Sequence, residues 1–107
     1  MIEGFEEGAL VIINLVNPKE KFWGVLGSLS AAGLTLKGIN LDSFDDWVRQ
    51  VARDDDDMSF DLVTMFVPLF RVERIFLDEA VGSIRSYAQL FEDVSGVTLQ
   101  RYLSDER

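Results

Sequence analysis

Short apolar runs, each closed by glycine, proline or asparagine, are the feature that most constrains how this chain can fold. Residues 9–16 are rich in β-branched side chains, and Asn17-Pro18 follows directly. A run of this kind before a turn dipeptide predicts a β-strand and a turn. It is also far shorter than the roughly 20 apolar residues that a membrane-spanning helix needs. We therefore expect a fold of short strands without a membrane segment.

The second and third runs contain glycines within predicted strands. Residues 21–30 predict a strand that includes Gly24 and Gly27, and glycine inside a strand indicates strong bending or a close approach of two backbones. Residues 34–41 predict a third strand, in which Gly38 is a candidate bulge. The pattern therefore predicts curved strands.

A tight hairpin and two further strands follow from the same pattern. Ala31-Ala32-Gly33 predicts a short reversal between the second and third strands. Residues 60–67 are nearly continuously apolar, which predicts a fourth strand buried on both faces. Pro68 limits further strand pairing, and residues 72–77 predict a fifth strand.

Apolar spacing changes to a helical period between the third and fourth strands. A spacing of i, i+3, i+4 and i+7 predicts a short helix over residues 44–52, with Ser43 and Asp46 as a capping box. The apolar positions in this spacing are Phe44, Trp47, Val48 and Val51. We expect Phe44 and Trp47 to dock the helix onto the strands.

A second helical pattern follows the fifth strand. It begins after Ser83 and ends at Gly96, a residue typical of the position after a helix. Its apolar positions are Ile84, Tyr87, Ala88, Phe91 and Val94. Residues 98–103 predict one more turn, which gives a helical extension over residues 83–103.

Composition narrows the chemistry that this chain can perform. The 107 residues contain no cysteine and no histidine, which excludes thiol nucleophiles and zinc–thiolate sites and removes the commonest general base. We expect no cofactor. The first residues are acidic where a signal sequence would be basic, so the expected location is cytoplasmic.

The net charge of −9 is concentrated in one segment. Eight of the 19 acidic residues lie between Leu41 and Asp61. The four consecutive aspartates at 54–57 lack the alternating spacing and the glycine of a calcium loop, so a solvated loop is favoured over a metal site. An acidic field of this kind repels a phosphate backbone, which disfavours RNA binding.

Several segments, taken in order, are similar to the two motifs of the Sm-like family. They are Ile13-Asn14-Leu15, Phe22-Trp23-Gly24-Val25-Leu26, Gly33-Leu34-Thr35-Leu36 and Val67-Pro68-Leu69-Phe70-Arg71-Val72-Glu73-Arg74-Ile75. The resemblance covers about residues 9–77 and implies a mainly β, strongly bent, five-stranded SH3-type barrel. Residues 1–107 then form a single Sm-like domain, with an acidic helical insert at about 43–58 and the C-terminal extension.

Two departures from the family pattern bear on function. RNA-binding members carry Asp and Asn in the hairpin after the second strand and Arg-Gly in the second motif, whereas this chain has Ser30-Ala31-Ala32-Gly33 and Pro68-Leu69. The resemblance therefore implies a barrel that has lost its RNA site, since recognition of bases needs planar or polar groups. The residues expected on the pore or ligand face are Phe70, Arg71, Ala31 and Ala32.

The resemblance also implies assembly. Sm-like subunits form closed rings in which the fourth strand pairs with the fifth strand of a neighbour, and an apolar fourth strand is an aggregation hazard unless its edge is covered. We expect a homo-oligomer in the form of a closed ring, and the sequence does not determine the number of subunits. The predicted interface residues are Leu62, Val63, Met65, Phe66, Val67, Val72 and Ile75.

Three functions are open at this point. The favoured one is a non-enzymatic, self-associating module that binds or scaffolds a protein or small ligand. The second is an RNA binder with a non-standard basic patch made of Arg71, Arg74, Lys19, Lys21 and Lys37. The least favoured is a small acid/base enzyme that uses the carboxylate pairs Asp45 and Asp46 or Asp78 and Glu79, because adjacent side chains point apart.

Overall fold

The part of the chain that the structure describes contains five antiparallel strands and three helices, which confirms the predicted mainly β class. The computed structural model describes residues 2–53 and 60–105. The strands are β1 (Leu10–Leu15), β2 (Glu20–Leu29), β3 (Gly33–Asn40), β4 (Val63–Pro68) and β5 (Val72–Leu77). The helices are α1 (Phe44–Arg53), α2 (Tyr87–Ser95) and α3 (Leu99–Asp105), and short 3-10 turns span Leu41–Ser43 and Leu69–Arg71.

The strands form one sheet in the order β4-β3-β2-β1-β5. β4 pairs with β3, and β5 pairs with β1, so these two strands are the opposite edges of the sheet. The predicted closure of the strands into a barrel is wrong for the single chain. Closure needs hydrogen bonds between the two edge strands, and the sheet contains no β4–β5 pair.

Side chains of the sheet alternate between two apolar cores. Neighbouring residues on a strand point to opposite faces, so Trp23 lies opposite Ile12 on one face and Phe22 lies opposite Ile13 on the other. The face that contains Trp23 packs against the helices, with a buried set of Trp23, Ile39, Phe44, Trp47, Val48, Leu62, Phe91 and Leu99. The other face buries Val11, Ile13, Leu15, Leu26, Leu34, Leu36 and Val67.

A glycine pair lets β2 and β3 approach closely, as the sequence predicts. Gly24 lies directly opposite Gly38, and a Cβ atom on Gly24 would lie 2.3 Å from the backbone oxygen of Lys37. The predicted bulge at Gly38 is wrong. The register instead shifts between Leu26 and Ser28, which places the irregularity at Gly27 in the partner strand.

The predicted hairpin and inserted helix are confirmed. The Ser30 backbone N–H donates to the Gly33 carbonyl at 2.9 Å across the reversal. Helix α1 buries Phe44 and Trp47 against Trp23, whose ring centroid lies 5.4 Å and 5.8 Å from theirs. The chain enters α1 through a 3-10 turn whose cap is Asn40, rather than through the predicted capping box.

The C-terminal extension divides into two helices. Helix α2 begins after Ser86, not after Ser83, because Ser86 forms a reciprocal capping box with Gln89. Ile84 therefore lies outside the helix. Gly96 ends α2 in the left-handed conformation, with φ of 75°, as predicted.

The prediction that β4 is buried on both faces is wrong. Val67 is its one fully buried residue, while Val63 and Phe66 are 58% and 57% exposed. The cause is the position of β4 at a sheet edge, where only one neighbouring strand covers it. The aspartates at 54–57 lie outside the described residues. Within the described part of the chain, no helix has the length and apolar character needed to cross a membrane.

Candidate functional site

The free edge of β4 presents backbone donors that none of the described strands uses. Leu69 N–H donates to the Ala32 carbonyl at 3.0 Å. Because backbone groups of an antiparallel strand alternate between its two sides, the N–H groups of Thr64 and Phe66 point away from β3. Pro68 occupies the next outward position, where its missing N–H costs no hydrogen bond within the sheet.

The free edge of β5 has the same character. Asp78 N–H donates to the Leu10 carbonyl at 2.9 Å, so the alternation turns the N–H groups of Ile75 and Leu77 away from β1. Phe76 is 43% exposed beside this edge. Phe76 is not among the residues predicted for the interface, and its two neighbours Ile75 and Leu77 are apolar as well, so polar–apolar alternation does not indicate which of the three is exposed.

The seven predicted interface residues occupy three environments. Leu62 and Val67 are buried in the two cores of the chain. Met65, Val72 and Ile75 are partly buried and pack against the core of the face opposite the helices. Only Val63 and Phe66 are largely exposed among the seven.

Three of the four residues predicted for a pore or ligand face lie together. The hydrogen bond from Leu69 to Ala32 joins the β2–β3 hairpin to the 3-10 turn after β4. Ala31, Ala32 and Phe70 are exposed at this end of the sheet, and Phe70 is 83% exposed. The surface formed by these residues is apolar.

Arg71, the fourth residue of that prediction, is directed at the β1–β2 turn. Its Nε donates to the Val16 carbonyl at 2.8 Å, and its Nη2 donates to the Pro18 carbonyl at 2.7 Å. The same Nη2 lies 3.0 Å from Oε1 of Glu20. These contacts make Arg71 a clamp between two turns.

The five cations of the predicted basic patch do not converge on one point. Lys19, Lys21 and Arg74 line one cleft of about 510 Å³. Lys37 lines a separate apolar hollow. The Arg71 guanidinium donates to the carbonyls of Val16 and Pro18, and Arg71 does not line the cleft. Three carboxylates line the cleft as well, those of Glu20, Asp42 and Glu73.

The predicted carboxylate pairs have structural contacts. Oδ1 of Asp78 accepts a hydrogen bond from Tyr87 N–H at 2.8 Å at the start of α2, and Oδ2 accepts one from Ala88 N–H at 3.0 Å. Oδ1 of Asp46 accepts a hydrogen bond from Arg49 at 2.7 Å. One carboxylate of each pair, Asp46 and Asp78, therefore already accepts hydrogen bonds within the fold.

Comparison with known proteins adds no assignment to this geometry. No family model, curated protein or solved structure matches the chain.

Proposed function

We propose that this protein is a non-enzymatic, Sm-like module that assembles with copies of itself through the edges of its sheet. The observation that carries the proposal is the pair of free edges, β4 and β5, at opposite ends of one five-stranded sheet. An edge of this kind is a template for pairing with another strand.

The two edges are matched in length and in chemistry. β4 and β5 each contain six residues, and each presents outward N–H groups beside an exposed phenylalanine, Phe66 on β4 and Phe76 on β5. Pairing between copies would satisfy the backbone groups and cover both aromatic rings. The combination supports a second copy of the chain as the occupant of each edge.

The contact would join two different surfaces, β4 of one copy and β5 of the next. Such a head-to-tail contact forms a ring when the rotation between copies closes, and a filament when it does not. The Sm-like resemblance favours the ring. In a ring, the apolar surface of Ala31, Ala32 and Phe70 would be repeated in every subunit, which suits a protein segment or an apolar small ligand better than RNA.

Light scattering coupled to size-exclusion chromatography tests the proposal. We expect a mass of at least two times 12.1 kDa, in whole-number multiples, that does not change on dilution. A particle of 12.1 kDa at every concentration would refute self-association.

A further inference from the structure

A row of polar side chains crosses three adjacent strands on one face of the sheet. Asn14 on β1 lies opposite Lys21 on β2 and opposite Arg74 on β5. Side chains that are directly opposite on neighbouring strands have Cβ atoms about 5 Å apart. A guanidinium, an amide and an ammonium therefore stand side by side, and all three residues line the cleft that also contains Lys19.

The three cations that line this cleft, Lys19, Lys21 and Arg74, lack the close carboxylates that other cations of the fold have. Arg49 and Arg85 each form an ion pair with an aspartate. Lys19 and Lys21 form no ion pair with any described residue. Arg74 forms a long ion pair with Glu73, in which Nη2 lies 4.0 Å from Oε2. Three cations with weak or no internal pairing thus share one cleft in a protein of net charge −9.

The Asn14 amide adds unused hydrogen-bonding capacity to the cleft. Its Nδ2 donates to no described residue and is the atom of this side chain that an oxyanion can accept from. Its buried Oδ1 also lacks a partner, but this oxygen is an acceptor and does not contribute to oxyanion binding. Amide, ammonium and guanidinium N–H groups are the donors that oxyanions accept, and the hydrogen bonds from the two charged groups are the stronger ones.

The carboxylates that line the cleft limit the size of a suitable ligand. Glu20 is already paired with Arg71 at 3.0 Å, which leaves Asp42 and Glu73 as the competing charges. The carboxylates of Asp42 and Glu73 would repel a long polyanion that extends past the cations, whereas a small ligand with one anionic group can bind between the cations without contacting these carboxylates. The cleft volume of about 510 Å³ falls within the range of small-molecule sites, about 300–1,000 Å³.

We propose that this cleft binds a small metabolite through a single oxyanion group, a phosphate or a carboxylate. Lys19, Lys21, Arg74 and the amide of Asn14 would hold the oxyanion, while the partly buried Leu41 supplies apolar contact to the rest of the molecule. This inference does not depend on self-association, because every residue that it uses belongs to one chain.

The test is a titration of the isotope-labelled protein with inorganic phosphate and, separately, with acetate, followed by nuclear magnetic resonance. Saturable shifts of the Asn14 side-chain amide and of the backbone amides of Lys19 and Lys21 are expected with at least one of the two anions. The anion that binds more tightly identifies the group. Lys21→Gln and Arg74→Gln should each weaken binding about tenfold or more, because each removes a charged donor whose hydrogen bond to the oxyanion is stronger than a neutral one.

Lys37→Gln is the matched control, since it removes the same charge from a separate hollow and should leave the affinity unchanged. Equal weakening by Lys37→Gln would show a diffuse counterion effect and overturn the proposal. The absence of saturable shifts with both anions would overturn it as well. Tight retention of oligo-uridine that depends on Lys21 and Arg74 would replace it with the RNA-binding function.

Discussion

The indole Nε1 of Trp23 donates a hydrogen bond to Oδ2 of Asp78 at 3.0 Å, although 55 positions separate the two residues in sequence. Trp23 is fully buried in the core beneath the helices. Asp78 also accepts the backbone N–H groups of Tyr87 and Ala88. One carboxylate therefore joins the middle of β2, the end of β5 and the first turn of α2.

Replacement of Asp78 by alanine should destabilise the protein by about 2–4 kcal/mol, because it leaves the buried Trp23 N–H and the first N–H groups of α2 without an acceptor. Urea denaturation measures the change. Glu79→Ala is the control, because this neighbouring acid is exposed and should change the free energy of unfolding by less than about 0.5 kcal/mol. Equal losses in the two variants would contradict the role assigned to Asp78.

The close approach of β2 and β3 predicts a large cost for Gly24→Ala. The added Cβ would meet the backbone of Lys37 and Gly38, which cannot move aside as a flexible side chain can, so we expect a loss of about 3 kcal/mol or more. Gly8→Ala has open space around the new Cβ and a positive φ, so backbone strain of about 1 kcal/mol is its expected cost. Thermal unfolding of both variants compares the two effects, and a smaller loss at Gly24 than at Gly8 would be inconsistent with this packing.

The contacts of Arg71 with two turns predict that lysine at this position makes the protein less stable. Lysine cannot reproduce donation from Nε and Nη2 to two carbonyls, so Arg71→Lys should cost about 1–2 kcal/mol of stability. Arg49→Lys changes an exposed ion pair and should cost less than about 0.5 kcal/mol. Chemical denaturation distinguishes these values, and a negligible loss at Arg71 would show that the turns are held by other contacts.

The outward N–H of Thr64 predicts a selective effect on assembly. Thr64→Pro removes a donor from the free edge of β4 without removing a hydrogen bond to β3, so the assembled mass should fall toward 12.1 kDa while circular dichroism stays unchanged. Thr64→Val keeps the N–H and should remain assembled. Dissociation of both variants would mean that the hydroxyl, and not the strand edge, makes the contact.

Local patterns predicted most of the elements because they depend on neighbouring residues. The β-branched runs gave the strands, and the i, i+3, i+4 spacing of Phe44, Trp47 and Val48 gave α1. The start of α2 is also encoded locally, since Ser86 and Gln89 have capping-box spacing, whereas Ser83 has Ser86 three residues later and no Glu or Gln there.

Features that depend on distant contacts could not be read from the sequence. An apolar run such as residues 60–67 looks the same whether other elements cover both faces of the strand or leave part of it exposed, so the exposure of Val63 and Phe66 could not be predicted from it. The role of Arg71 depends on carbonyls of Val16 and Pro18 that the fold brings to it. The alignment of Asn14 with Lys21 and Arg74 likewise requires the register of three strands.

The central claim is that β4 of one copy pairs with β5 of another, and mixing two edge variants tests it most directly. Thr64→Pro blocks the β4 edge, and Phe76→Lys places a charge on the β5 edge. Val94→Lys, which adds the same charge at a 54% exposed position on α2, should stay assembled and serves as the control.

Each edge variant alone should have the monomer mass, since it retains only one of the two complementary surfaces. An equimolar mixture should form a dimer of about twice 12.1 kDa by light scattering, through the intact β5 of one variant and the intact β4 of the other. A mixture that stays monomeric, or a Phe76→Lys variant that assembles by itself, would contradict the head-to-tail pairing.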